Sequence, residues 1–170
     1  LLLIQRYLRT DMLTPFMKSV TFLGNGGWFW ILCAVVLLAV PKTRKTGYAA
    51  ALSLIFGAIV TNLLLKNIVA RPRPFAEIEA LIPMITKPKD FSFPSGHTTA
   101  SFAVALVMLR MLPKKFGIPA VVLAALVAFS RLYLGVHYPT DVLTGFVIAL
   151  VGSMLSVWIV RTKPEDKQVH

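Results

Sequence analysis

Acidic residues are scarce in this chain of 170 residues: 7 Asp and Glu stand against 18 Lys and Arg. A single cysteine, Cys33, excludes an internal disulfide and a cysteine metal site. Set inside an apolar run, it reads as a small buried or lipid-facing side chain. No carboxylate cluster and no histidine set with metal spacing is present, so the sequence calls for no metal or other cofactor. Low-complexity segments, internal repeats and Asn-x-Ser/Thr sites are also missing. Charged residues of any sign make up only 15% of the chain. Hydrophobic residues supply 56%, and the mean hydropathy is +0.73. A soluble domain of this length could not cover so much apolar surface.

The charge imbalance leaves a net +11 and a pI near 10.2. On one soluble face that would suggest nucleic acid. Here the basic residues sit in short clusters at the ends of apolar runs, a placement suited to anionic lipid headgroups. The bilayer is the expected partner and nucleic acid is not.

The chain reads as an all-α, polytopic transmembrane helical bundle, one membrane-embedded domain over residues 1–170. Residues 6–22 mix apolar positions with Arg6, Arg9, Asp11 and Lys18, the pattern of an amphipathic helix lying at the interface. Thr10 or Asp11 is its expected cap. Asn25-Gly26-Gly27 breaks that pattern. Five spanning runs follow, over 28–40, 46–68, 98–112, 119–136 and 139–160. The second, about 35 Å at 1.5 Å per residue, is long enough to cross with some tilt. Between the second and third runs lies the one long connection, 69–93, with a short helix expected over 77–82. A charged tail, 161–170, closes the chain.

Counting crossings puts the turns near 42–45 and 113–115 and the tail on one side. Lys66 to Pro74, Pro94 to His97 and the break around His137 fall on the other. Lys and Arg divide almost evenly between the sides, so the positive-inside rule decides little. With Lys66, Arg73 and Arg131 set aside as ligands and the long loop discounted, the basic turns and the tail become cytoplasmic. The polar stretches then lie outside.

Three polar stretches carry the chemistry. Pro94-Ser95-Gly96-His97 opens a helix, where unpaired amides and the positive dipole end favour an anion. Gly96 lets the backbone approach a ligand closely, although Ser95 as a plain helix cap is the simpler reading. Arg131 sits inside an apolar run that offers it no carboxylate, and an intramembrane guanidinium needs an anionic partner. Lys66 is either a ligand or a snorkelling side chain; Asn62, one turn before it, suits an interhelical hydrogen bond. His137 and Asp141 are four apart, so a helix beginning at Pro139 lets Asp141 reach one ring nitrogen and leave the other free. Lys66, Arg73, Arg131, the Ser95–Gly96 amides, two histidines and an aspartate together suit a phosphoryl group. One histidine attacks phosphorus and the other protonates the departing oxygen.

Lys66 with Arg73-Pro74, then Pro94-Ser95-Gly96-His97, then Ser130-Arg131 with His137 and Asp141 resemble the three signature motifs of the type 2 phosphatidic acid phosphatase (PAP2) superfamily, in its order and spacing. The resemblance implies a metal-independent phosphatase that works through a phosphohistidine. It implies His137 as nucleophile, Asp141 as its orienter and His97 as general acid. Lys66, Arg73, Ser95, Gly96 and Arg131 become the phosphate cradle. It further implies an integral membrane enzyme with its site on the extracytoplasmic face, while the small size and the missing Asn-x-Ser/Thr sites point towards a bacterial protein. Phosphatidic acid, phosphatidylglycerol phosphate and undecaprenyl diphosphate are the candidate substrates. Members of this branch carry six helices; five runs are visible here and the chain opens on Leu1, so the family's first helix is expected to be absent or upstream. Phosphotransferases share the motifs, as do vanadate haloperoxidases, which are soluble. A transporter or scramblase keeping the site only for binding is the reading from another class, and paired broken helices of that type are lacking.

Overall fold

The structure, a computed structural model, describes residues 1–162. The charged tail expected over 161–170 lies, beyond Thr162, outside the described residues. The chain forms α1 (Leu2–Tyr7), α2 (Leu13–Phe22), α3 (Trp28–Ala39), α4 (Arg44–Ala58), α5 (Lys66–Val69), α6 (Pro74–Glu77), α7 (Gly96–Met111), α8 (Lys114–Tyr133) and α9 (Pro139–Thr162). No strand occurs among the described residues. The all-α transmembrane bundle expected from the sequence is the architecture found.

Helix α7 is the axis. It packs against α4, α8 and α9, and every residue from Ser101 to Val107 is buried. The interfaces are lined by Ala49, Ala50, Ala103, Ala105, Ala124 and Ala149, small residues that let helices approach closely where lipid gives no hydrophobic driving force. At Gly145 of α9 an added Cβ would lie 2.8 Å from the Ser95 carbonyl oxygen, so the start of α7 and α9 meet with no room for a side chain. The outer faces are apolar and exposed, as in Leu32 and Val36 of α3 and Leu143, Met154 and Trp158 of α9. Those are the faces lipid covers.

Three stretches are long and apolar enough to cross a membrane: Pro41–Glu77, Lys114–Tyr133 and Pro139–Thr162. The bent pair Leu13–Phe22 and Asn25–Ala39, angled by 43°, makes a fourth if it is one span. This differs from five separate runs. Helix α7, with 16 residues, is about 24 Å long and short of a full hydrocarbon thickness. Being sheathed by other helices, it has little lipid to match.

The N-terminal stretch also departs from a single interfacial helix over 6–22. It breaks into α1 and α2, and the Thr10 hydroxyl accepts from Leu13 N at the start of α2. Arg9, whose charge suggested headgroups, donates instead to the carbonyls of Tyr133 and Ile82. Helix α2 buries Thr14, Met17, Val20 and Thr21, and it packs against α8.

Between α4 and α5, residues Ile59–Leu65 form a wide π-helical turn, and Ala70, at φ 45°, ends the helix in a left-handed residue. The short helix of the long loop falls at Pro74–Glu77 rather than 77–82, because Pro74 is already set for the first helical position. Helix α8 begins at Lys114, earlier than expected, with Pro119 inside its early turns.

Candidate active site

The end of α5, the start of α7, the end of α8 and the start of α9 meet at one end of the bundle. Backbone bonds tie them: Ser95 N donates to the Asp141 carbonyl and Met84 N to that of Leu134. Lys66, Arg73, Gly96, His97, Arg131 and His137 line one cavity of about 1010 Å³. Asp141 stands behind His137, fully buried.

His137 lies in the turn between α8 and α9, only 2% exposed. Its Nδ1 is 3.5 Å from Asp141 Oδ2 and its Nε2 is 3.3 Å from Arg73 Nη1. Nδ1 makes no hydrogen bond at that distance, and the tautomer protonated there, facing the carboxylate, leaves the Nε2 lone pair on the cavity side. Burial lowers the pKa of the ring most; the Asp141 contact opposes this, while Arg131 and Arg73 add to it, and the value falls to about 4. At neutral pH the ring is uncharged and able to attack.

Asp141 owes its position to the first turn of α9, where a carboxylate also meets the positive end of the helix. Its Oδ2 accepts from Ser92 Oγ at 2.5 Å and from Tyr138 N at 2.8 Å. Its Oδ1 accepts from Arg71 Nη1 at 3.0 Å. The Arg71 guanidinium lies 3.8 Å over the Tyr138 ring and also donates to Thr140 Oγ1 at 2.7 Å. The carboxylate is therefore gripped from three directions besides the histidine.

The cations are equally well placed. Arg73 is buried; Nη1 donates to the Val136 carbonyl at 2.7 Å and Nε to that of Asp90 at 2.9 Å. Arg131 is 2% exposed, and its Nη1 donates to Thr21 Oγ1 at 2.6 Å. Its Nε is buried with no hydrogen-bond partner among the described residues, and the residue lines the cavity. Lys66 does not snorkel to the interface: its side chain is 13% exposed and its ammonium pairs with Asp90. Gly96 and His97 hold the first amides of α7, which have no acceptor within the helix.

Ser95 sits differently from the other cradle candidates. It is fully buried and absent from the cavity wall, with its hydroxyl accepting from Thr98 Oγ1 at 3.0 Å and, at 3.4 Å, from Thr98 N. That is the helix-cap geometry. His97 reaches the cavity, where its Nε2 lies 2.9 Å from Asn25 Oδ1. Gly24 passes so close that an added Cβ would lie 2.6 Å from His97 Cδ2.

Four residues of this site escaped the sequence reading as site members. Thr21 and Asn25 come from the stretch taken as an interfacial helix and a plain break; Arg71 and Ser92 come from the long loop. The one available signal was Arg71, which repeats the Arg-Pro step of Arg73-Pro74 two residues earlier.

From the polar end, the cavity continues along Ile31, Val35 and Leu38 of α3 and Leu54, Ile55 and Ala58 of α4. Gly27 to Leu38 spans about 16 Å of helix at 1.5 Å per residue, room for part of a lipid tail beside the cradle.

The comparisons with known proteins agree with this geometry. The profile of the PAP2 superfamily matches residues 46–165. The undecaprenyl-diphosphatase of Sulfolobus acidocaldarius is 36% identical over 150 residues, covering 87% of this chain and 72% of that one. The undecaprenyl-diphosphatase BcrC of Bacillus subtilis is 37% identical over 143 residues, 83% of this chain and 72% of the relative. The crystal structure of the first transmembrane PAP2 type phosphatidylglycerolphosphate phosphatase from Bacillus subtilis superposes with a TM-score of 0.74. It is 28% identical, and the match covers 94% of this chain and 82% of that one. The chain belongs to the PAP2 superfamily and is an integral membrane lipid phosphatase.

Proposed function

We propose that this enzyme removes the terminal phosphate of a lipid diphosphate, with undecaprenyl diphosphate as the first candidate, by way of a phosphohistidine on His137. The single observation that carries this reading is the continuity of the cavity. One end is cationic and holds a histidine with a free nitrogen; the rest is an apolar channel along α3 and α4. The names of the two undecaprenyl-diphosphatases cited above support the choice among lipid phosphates.

In the proposed reaction, His137 Nε2 attacks the terminal phosphorus while Asp141 takes up the charge developing on the ring through Nδ1. The P–O bond to the lipid breaks, and His97 supplies a proton to the departing oxygen. Arg73, Arg131, Lys66 and the Gly96 and His97 amides hold the equatorial oxygens, where charge builds in the transition state. Ser95 contributes by capping α7 and so aiming those amides. Water then attacks the phosphohistidine, with His97 now accepting its proton, and releases inorganic phosphate. The site is assigned to the extracytoplasmic face of the cell membrane, in keeping with the side expected for the basic turns.

A panel of purified lipid phosphates and diphosphates in one neutral detergent, compared by kcat/KM, tests the substrate. Undecaprenyl diphosphate is expected to lead, and a clear preference for a phosphate monoester would displace it. His137→Ala is expected to abolish phosphate release from every member of the panel; turnover surviving in that variant would remove His137 as nucleophile.

A further inference from the structure

The phosphate cradle already holds an anion, and the chain itself supplies it. Asp90 belongs to the loop between α6 and α7. Its Oδ1 accepts from Arg73 Nη2 at 2.7 Å, and its Oδ2 pairs with the Lys66 ammonium. The carboxylate is 52% exposed, whereas the side chains it bridges are 5% and 13% exposed for Arg73 and Lys66. Partial burial would raise the pKa of Asp90, but the hydrogen bonds from Lys66 and Arg73 outweigh it and hold the value near 2. Asp90 is therefore charged throughout the working range.

Any substrate phosphate that engages Lys66 and Arg73 must exchange with this carboxylate. The charges of the competing ligands decide that exchange. A phosphodiester carries one negative charge, as Asp90 does, and replacing one monoanion by another gains little. It also forfeits the advantage of a tethered ligand, whose local concentration is high. A terminal phosphoryl group approaches two negative charges at neutral pH and has three free oxygens. It gains an extra unit of attraction, and it has oxygens left for the Arg131 guanidinium and the first amides of α7. The distinction matters because a bilayer surrounds the site with phosphodiester headgroups in large excess over any lipid monophosphate or diphosphate.

We infer that Asp90 is a selectivity residue: it keeps Lys66 and Arg73 paired against the monoanionic phosphodiester headgroups of the membrane and yields only to a terminal phosphoryl group. This inference deepens the proposed function and rests on it for the identity of the substrate.

The test compares wild type with Asp90→Asn, Asp90→Ser and Asp90→Glu. Hydrolysis of a fixed lipid phosphate is followed in neutral micelles while the mole fraction of phosphatidylglycerol rises. In the two neutral variants the inhibitory mole fraction is expected to fall by about tenfold, the scale of one charge-assisted hydrogen bond. The Asp90→Glu protein should stay near wild type. Equal or weaker inhibition in both neutral variants would overturn the inference and make Asp90 a brace for the two cations. A second measurement needs no turnover: the rise in melting temperature with soluble dimethyl phosphate against methyl phosphate. Removing the Asp90 charge should increase the shift given by the diester most, and an unchanged ratio of the two shifts would also overturn the inference. If the wild type releases phosphate from no lipid, the proposed function fails while the melting comparison still decides the role of Asp90.

Discussion

Arg71 touches neither His137 nor the cavity wall, yet the geometry makes it a controller of the nucleophile. Its Nη1 lies 3.0 Å from Asp141 Oδ1, and the stack on Tyr138 and the bond to Thr140 leave the guanidinium little freedom. In Arg71→Gln, Asp141 keeps Ser92 and the Tyr138 amide but loses its charged partner. A hydrogen bond between charged groups is worth about 1.5–3 kcal/mol, so kcat is expected to fall by about 10- to 100-fold. KM should stay nearly constant, since Arg71 does not line the cavity.

The pH profile gives the sharper readout. His137 attacks only when neutral, and its pKa is about 4, so the acidic limb of the wild-type profile lies there and the rate is lost as pH falls through that value. The charged groups facing the ring are Arg73, Arg131 and Asp141, with His97 across the cavity. Removing Arg71 leaves the Asp141 charge less balanced, which favours the imidazolium and moves the acidic limb of kcat/KM to higher pH. Arg71→Lys keeps the charge without the stacked plane and should fall between. The assay is phosphate release from one lipid substrate across the acidic range. A raised KM with intact kcat, or a lowered kcat with an unmoved acidic limb, would refute the reasoning.

Two further outcomes concern the packing around the cradle. Asn25→Ala removes the oxygen that holds His97 Nε2 and is expected to lower kcat by about tenfold with little change in KM, the scale of one lost orienting hydrogen bond, read from initial rates. Gly145→Val places a Cβ against the Ser95 carbonyl and should cost about 1–3 kcal/mol through overpacking, read as a lower melting temperature in detergent.

Much of this site was legible because its residues recur in short patterns. Lys66 with Arg73-Pro74, Ser95-Gly96-His97, and Arg131 with His137 and Asp141 each fall within one short stretch of chain. Local geometry suffices to interpret them: His137 and Asp141 are linked because Pro139 starts α9 between them. The unread part is long-range. Arg131 finds its hydroxyl at Thr21, 110 residues away, and His97 finds its amide at Asn25, 72 residues away. Neither partner belongs to a periodic pattern that would mark it. The charges of the N-terminal stretch misled for the same reason, since the carbonyls that Arg9 satisfies lie at Tyr133 and Ile82. The run at α7 was legible to within two residues, whereas its being sheathed by other helices was not, because hydropathy reports apolar content and not whether lipid or protein surrounds a helix.

The wide turn over Ile59–Leu65 has a bearing on how this protein tolerates changes in length. An α-helix rotates by about 100° for each residue, and a π-turn accommodates an additional one. Loss of a single residue between 59 and 65 would restore regular winding and leave the helix beyond it in nearly its present phase. Lys66 would keep its side of the helix, and the path into Arg71 and Arg73 would begin from the same place. The segment acts as a phase adjuster, so a one-residue deletion there is a milder lesion than the same deletion in the regular turns of α4, which would swing everything beyond it by about 100°.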